Sequence, residues 1–458
     1  MLFTKDKSFY KNLILLALPI ALQNFITFSI GLADSIMVGT LGDAAVSGLY
    51  MGNQIQTLLQ VFSGGIEGAI LVLAAQYWGK RDTDSIKRIC AIGVRLAILV
   101  GALASLVCAI IPERIIYIFT HDAETVRMGG EYLGIVALSY VFFCLMQALI
   151  ASMRSVETAR VGLYVSLASL LVNIGLNYVL IYGKLGLPAL GIKGAAIATL
   201  IARIVEAGII LLYVFVIDKK LSFKPRDILL RDRRLLLDFI RYGAPIIAGQ
   251  LVWATNMLSS AAIMGRQSEE GVVAAMSIAN TANNLCYVVM NGMAGAVGII
   301  TGKTIGSGQK ERMREYAKTV QVIFLGLGLL TGTALQLLKR PFISLYAVSD
   351  EAVAQAVKFL NVLSVTIVGT CYQAACLFGL VKSGGDISFV FKLDLVFIFL
   401  IVLPTAIIAT ALGAPAWVVF LALKYDQILK CFVAVVKINR FNWMKNLTRT
   451  GEGKALAE

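Results

Sequence analysis

Residues 19–39 read PIALQNFITFSIGLADSIMVG, an apolar run with a single ionisable side chain, Asp34. Residues 245–265 read PIIAGQLVWATNMLSSAAIMG, with proline and glycine again at the two ends and an offset of 226. After one inserted residue the correspondence continues at 227: Asn53, Leu58, Val61, Gly65, Gly68, Ala69 and Gly79 match Asn280, Leu285, Val288, Gly292, Gly295, Ala296 and Gly306. A helix needs about 20 apolar residues to cross the hydrocarbon core of a bilayer. Each run therefore reads as a membrane-spanning helix, and the pair as one helix of an internal repeat.

Apolar stretches bounded by charges, glycine or proline recur at about 12–39, 44–78, 89–111, 129–151, 161–182, 190–217, 235–265, 271–302, 317–338, 354–381, 388–411 and 413–436. The composition agrees: of 458 residues 58% are hydrophobic and 15% charged, which excludes an ordinary soluble protein. The expected fold is an all-α polytopic membrane protein with twelve transmembrane helices in two pseudo-symmetric six-helix lobes. Six helices per half is an even number, so equivalent helices run in the same direction, as in the parallel repeats of secondary transporters. The expected division is an N-terminal lobe at 1–217, a basic linker at 218–241, a C-terminal lobe at 242–436 and a basic tail at 437–458.

Lys and Arg number 41 against 27 Asp and Glu, a net charge of +14 that on a soluble protein would suggest nucleic acid. With the N-terminus inside and helices alternating, 29 of the 41 fall on cytoplasmic segments, 8 on external loops and 4 within helices. The surplus is thus a record of topology, with both termini cytoplasmic in a multi-pass cell-membrane protein and no nucleic-acid partner. The tail reads as a solvated segment attracted to anionic lipid. The first apolar run follows a short basic start and lacks a small-residue cleavage pattern, so it is expected to be a retained span. The seven cysteines lie mostly in apolar stretches without metal or disulfide spacing.

Asp34 is the principal polar candidate. It lies near the C-terminal end of its helix, where the macrodipole opposes negative charge, so capping explains it poorly. A carboxylate within a span is expensive and lacks an obvious cationic neighbour, which suits a coupling-ion role or else an anchor at the outer interface. Asn173 and Asn177 share a helix face at i and i+4, and Thr199 can add a hydroxyl from the next helix. Neutral oxygens beside one carboxylate suit Na⁺ or a proton, although asparagines also pack helices together. Helix 2 carries Asn53, Gln56, Gln60, Ser63 and Glu67 in steps of 3, 4, 3 and 4, one polar face that either lines a cavity or bonds to neighbouring helices. Gln23, Trp253, Asn280, Asn283 and Tyr287 complete the cavity and substrate candidates. Arg203 and Glu206, at i and i+3, are expected to pair, and Asp394 with Lys392, and Lys424, Asp426 and Lys430, are second-rank candidates, interfacial or mutually paired.

Four segments in order, PIALQNFITFSIGLADSIMVG at 19–39, AQYWGKRD at 75–82, NIGLNYVLIYG at 173–183 and GIKGAAIATLIAR at 191–203, resemble the multidrug and toxic compound extrusion (MATE) family. The resemblance spans nearly the whole chain. It implies two six-helix lobes forming a V-shaped cavity, and export of organic cations in exchange for Na⁺ or H⁺. It further implies that Asp34 is the helix-1 coupling carboxylate, with Asn173, Asn177 and Thr199 as the polar members of its site. The NorM branch of that family carries a Glu eight residues after the helix-7 proline, where this chain has Trp253.

The resulting expectation is a cation-coupled antiporter of amphiphilic, cationic compounds, working as a monomer in the bilayer with no cofactor beyond the coupling ion. A flippase for a lipid-linked precursor is the alternative; an anionic headgroup would call for several basic cavity residues, whereas the helix interiors hold four cations. One histidine and the absence of H-E-x-x-H and G-x-S-x-G leave no catalytic set for an enzyme.

Overall fold

The computed structural model describes residues 3–346 and 348–449. Among these, eleven helices are long and apolar enough to cross a membrane: α1 Lys7–Gly39, α2 Asp43–Lys80, α3 Thr83–Ile110, α4 Ala123–Ser155, α5 Arg160–Tyr182, α6 Ile192–Ile217, α7 Arg233–Gly265, α8 Val272–Gly306, α9 Lys310–Ile343, α10 Asp350–Lys382 and α11 Ile387–Ala411. The chain is therefore a multi-pass membrane protein. Their ends carry ordinary stop and start signals. Asp82 accepts from the Ser85 amide to begin α3, Asp122 from Thr125 to begin α4, and Ser349 from Ala352 to begin α10. Gly183, at φ 65°, ends α5 in the left-handed conformation that glycine adopts without strain.

The expected twelfth span at 413–436 takes a different form. It folds as α12 Ala416–Ala422 and α13 Asp426–Asn439, with a turn at 423–425. The ionisable residues explain the interruption: the turn puts Asp426 in the first turn of α13, where the helix dipole favours a carboxylate, and Lys430 one turn further on. α7 begins at Arg233, inside the stretch expected to be linker, because Leu235 and Phe239 bury at helical spacing.

The described chain divides into two compact units, one of residues 22–247 and one combining 3–21 with the described residues after 247. The divisions fall inside α1 and α7, shortly after Pro19 and Pro245. In the 22–247 unit, small residues bring helices together: a Cβ on Gly48 would lie 2.7 Å from the Gly129 amide nitrogen, and one on Gly194 2.6 Å from the Leu180 carbonyl. In the other unit, a Cβ on Gly328 would lie 2.9 Å from Val368 Cα, joining α9 to α10. Its core includes the stacked rings of Phe359 and Phe420, 4.5 Å apart. Residues 3–10 also belong to it: the Thr4 amide donates to Thr319 at 2.8 Å, and Tyr316 donates to Asp6 at 2.5 Å.

The described part of the tail is not a solvated segment. Trp443 is fully buried and donates to the Ile438 carbonyl, and Lys437 and Lys445 close on Asp386 at 2.7 and 2.9 Å. An apolar anchor plus two ion pairs outweighs the tendency of a basic chain to remain in water. The rest of that expected tail, 450–458, lies outside the described residues.

Candidate functional site

Within the 22–247 unit, α1 presents Asp34 to the face of α5 that carries Asn173 and Asn177, one turn apart. Asn177 Nδ2 donates to Asp34 Oδ1 at 2.5 Å and to Asn173 Oδ1 at 3.2 Å. Asp34 is 8% exposed, and both asparagines are fully buried. The carboxylate has no ion-pair partner among the described residues. Arg203, the cation within its electrostatic reach, is committed elsewhere: its Nη1 lies 2.8 Å from Glu206, and its guanidinium sits 4.9 Å from the Phe143 ring centre. The expected Arg203–Glu206 pair is thus present and leaves Asp34 without a direct ion pair.

Asn173 Nδ2 and Asn177 Oδ1, on the two amides beside Asp34, are buried without a hydrogen-bond partner, as is Thr199 Oγ1 on α6, a neighbour of Tyr132. Buried polar groups are almost always satisfied, so orphaned atoms flanking a lone carboxylate have the chemistry of a place for a cation or proton. Tyr132, buried on α4 and within electrostatic reach of Asp34, is a neighbour that sequence reasoning missed. Nothing in its local pattern separates it from the other tyrosines. Among the described residues no group of three or more His, Cys, Asp or Glu could hold a metal ion.

Glu67, the other acidic candidate of this unit, has a partner. Arg154 Nη1 lies 2.7 Å from its carboxylate, and Nη2 donates to Gln23 Oε1 at 2.8 Å. Arg154 reads in sequence as one more cytoplasmic charge, yet it closes a three-residue cluster joining α1, α2 and α4. The polar face of α2 has mixed surroundings. Asn53 and Gln60 are exposed and make no side-chain hydrogen bond among the described residues, whereas Gln56 is partly buried with an unpartnered Nε2. Ser63 is buried against Cys144, with Oγ and Sγ 3.1 Å apart.

In the second unit, Trp253 is 49% exposed, and Asn280, Asn283 and Tyr287 are half-buried on α8. Three of the second-rank charges, Asp394, Asp426 and Lys430, assemble into a largely buried triad, and Lys424 stays outside it. Lys430 Nζ lies 2.9 Å from Asp394 and 3.0 Å from Asp426, and 5.6 Å from the Phe397 ring centre. Gln427 donates to both Asp426 oxygens.

Comparison with known proteins accounts for both halves of the chain. Residues 19–179 and 245–408 match the MatE family, each match opening on one of the two repeat prolines. The probable multidrug resistance protein NorM of Thermotoga maritima is 27% identical over 361 residues, covering 78% of this chain and 76% of that protein. The structure of a variant of the Vibrio cholerae MATE transporter VcmN superposes with a TM-score of 0.86 at 16% identity, over 94% of this chain and 97% of that one. A MOP-superfamily transporter from Pyrococcus furiosus gives 0.85 at 19% identity, over 96% and 99%. The protein whose structure it is was described as having a binding pocket of reversed polarity that suggests a different function.

Proposed function

The chain belongs to the MatE family of secondary transporters, and on that premise we propose that it exports amphiphilic, cationic organic compounds from the cell in exchange for Na⁺ or H⁺. The observation that carries the proposal is the buried Asp34 carboxylate, hydrogen-bonded by Asn177 and without a cationic partner among the described residues. A lone carboxylate in a span calls for a counter-charge, and one supplied from solution can arrive and leave. The ion enters a site of Asp34, Asn173, Asn177 and Thr199 when that site opens outward, and its binding disfavours the state that retains substrate. Coupling requires ion and substrate to prefer different states; equal affinity for both states would move nothing.

Substrate contacts are assigned to the polar and aromatic groups that remain free of internal partners, chiefly Asn53, Gln60, Trp253, Asn280 and Asn283. Flat or flexible side chains of this kind accommodate varied apolar cations. The relatives' description as multidrug resistance proteins supports the substrate class. Both termini are placed in the cytoplasm by the bias of basic residues, and the protein acts as a monomer.

The test is transport by purified protein in liposomes. Efflux of a fluorescent organic cation is followed with a Na⁺ gradient alone or a proton gradient alone, for the native chain and for Asp34→Asn. One of the gradients should drive efflux by the native chain, and neither should drive it in Asp34→Asn. Gradient-driven efflux by the Asn variant would remove Asp34 from the coupling role.

A further inference from the structure

On the second unit, α9, α10 and α13 line an open groove of about 730 Å³ whose walls are mostly apolar. Leu329 and Val365, on the membrane-crossing α9 and α10, and Phe432, on α13, line it and are each more than half exposed. Its length along α9, from Leu325 to Leu337, is about 18 Å at 1.5 Å per residue. One leaflet of hydrocarbon is about 15 Å deep. The groove therefore matches the depth of one leaflet, with its floor formed where Gly328 and Gly332 let α9 rest on α10.

One end of the groove is polar in a regular way. Ser364 donates to Gln336 at 3.1 Å, and one turn further out Lys339 donates to Asn361 at 2.5 Å, making two consecutive rungs between α9 and α10. Arg340 adjoins the outer rung on α9, and Lys358 lies three residues from Asn361 on α10. None of these three cations has an ion-pair partner among the described residues. Of the acidic residues at that end, Asp350 and Glu351 lie about two turns beyond Lys358, at the start of α10, and Glu269 is taken up by hydrogen bonds from Gln355 and the Ala416 amide.

We propose that this groove is a specific lipid site: it takes one acyl chain of a glycerophospholipid, whose phosphate is held by Lys339, Lys358 and Arg340. Charge complementarity and depth argue for this occupant. A trough one leaflet deep, with cations at the headgroup level, pairs an apolar chain with an anion at its end. An organic cation would place its charge against three like charges. A second copy of this chain would have to bring carboxylates to the same level.

The test uses the full chain in nanodiscs of phosphatidylcholine doped with phosphatidylglycerol, with bound lipid counted by native mass spectrometry after release. The native chain should retain phosphatidylglycerol in preference to phosphatidylcholine. Lys339→Gln and Lys358→Gln should each lower that retention about fivefold, the effect of one basic residue near a membrane surface. Val365→Trp, which fills the trough from an exposed position, should abolish it, while Leu400→Trp on the exposed face of α11 should leave it unchanged. Equal retention in all variants, or no preference between the two lipids, would overturn the site. A change of oligomeric mass in Val365→Trp with lipid retention intact would also overturn it, by giving the groove to a second copy.

Discussion

The side-chain amide of Asn177 reaches across 143 positions of sequence to donate a 2.5 Å hydrogen bond to the carboxylate of Asp34. A bond to a charged acceptor contributes about 1.5–3 kcal/mol, against about 0.5–1.5 for a neutral one. Asn177→Ala should therefore lower the thermal midpoint of the native chain at neutral pH by more than it lowers that of Asp34→Asn. A double-mutant cycle by thermal unfolding in detergent measures the difference. Equal losses in the two backgrounds would mean that Asn177 does not stabilise the charge.

Glu67 should behave unlike Asp34, because Arg154 already neutralises it at 2.7 Å. Arg154→Met strands a mostly buried carboxylate, and removing one partner of such a pair costs about 3 kcal/mol. The double variant Glu67→Met/Arg154→Met should recover most of that loss, since apolar groups of similar size replace a buried pair at little cost. In liposomes, Glu67→Gln should keep gradient-coupled efflux. Loss of coupling with a normal thermal midpoint would make Glu67 a second coupling group.

The Lys430 triad gives a steeper result. Lys430→Met leaves Asp394 and Asp426 facing each other with no cation between them, and the yield of folded protein should collapse, read as the monodisperse fraction in size-exclusion chromatography. Adding Asp394→Asn and Asp426→Asn together should restore it. If Lys430→Met alone is well behaved, the triad does not stabilise this unit.

Outside the membrane, the start of the chain carries a pH dependence. Hydrogen bonds from Ser8 first and Tyr316 next hold the Asp6 carboxyl at about 2, below its ordinary 3.8. A carboxyl lowered on folding adds stability that is present above its unfolded value and is lost as pH falls through the folded one. Docking of residues 3–10 on α9 should thus be constant above about pH 4 and weaken progressively toward pH 2. Hydrogen exchange of the Thr4 and Ser8 amides reads this directly. Asp6→Asn should flatten the profile, and an unchanged profile in that variant would assign the effect elsewhere.

Much of the site was legible because it depends on local facts. Asp34 stands out as a charge within an apolar run, and Asn173 with Asn177 as two amides four residues apart on one helix. Neither inference needs a fold. The partners were not legible. Arg154 looks like a loop charge until α1, α2 and α4 converge on it, and Tyr132 is one tyrosine among many until α4 brings it within reach of Asp34. Trp443 and Lys445 lie in a basic stretch that reads as solvated, and become structural only where Asp386 waits between α10 and α11.

The sequence by itself determined a helical membrane protein with an internal repeat, because a bilayer accepts few solutions. About 20 apolar residues must form one helix, and a repeated proline and glycine must mark equivalent helices. Tertiary structure decided how each charge is compensated. Glu67, Glu206 and Asp394 meet cations, while Asp34 meets an amide and no cation among the described residues. Attraction between charges falls off over a few ångströms, and which side chains come that close is fixed by helix packing rather than by spacing along the chain.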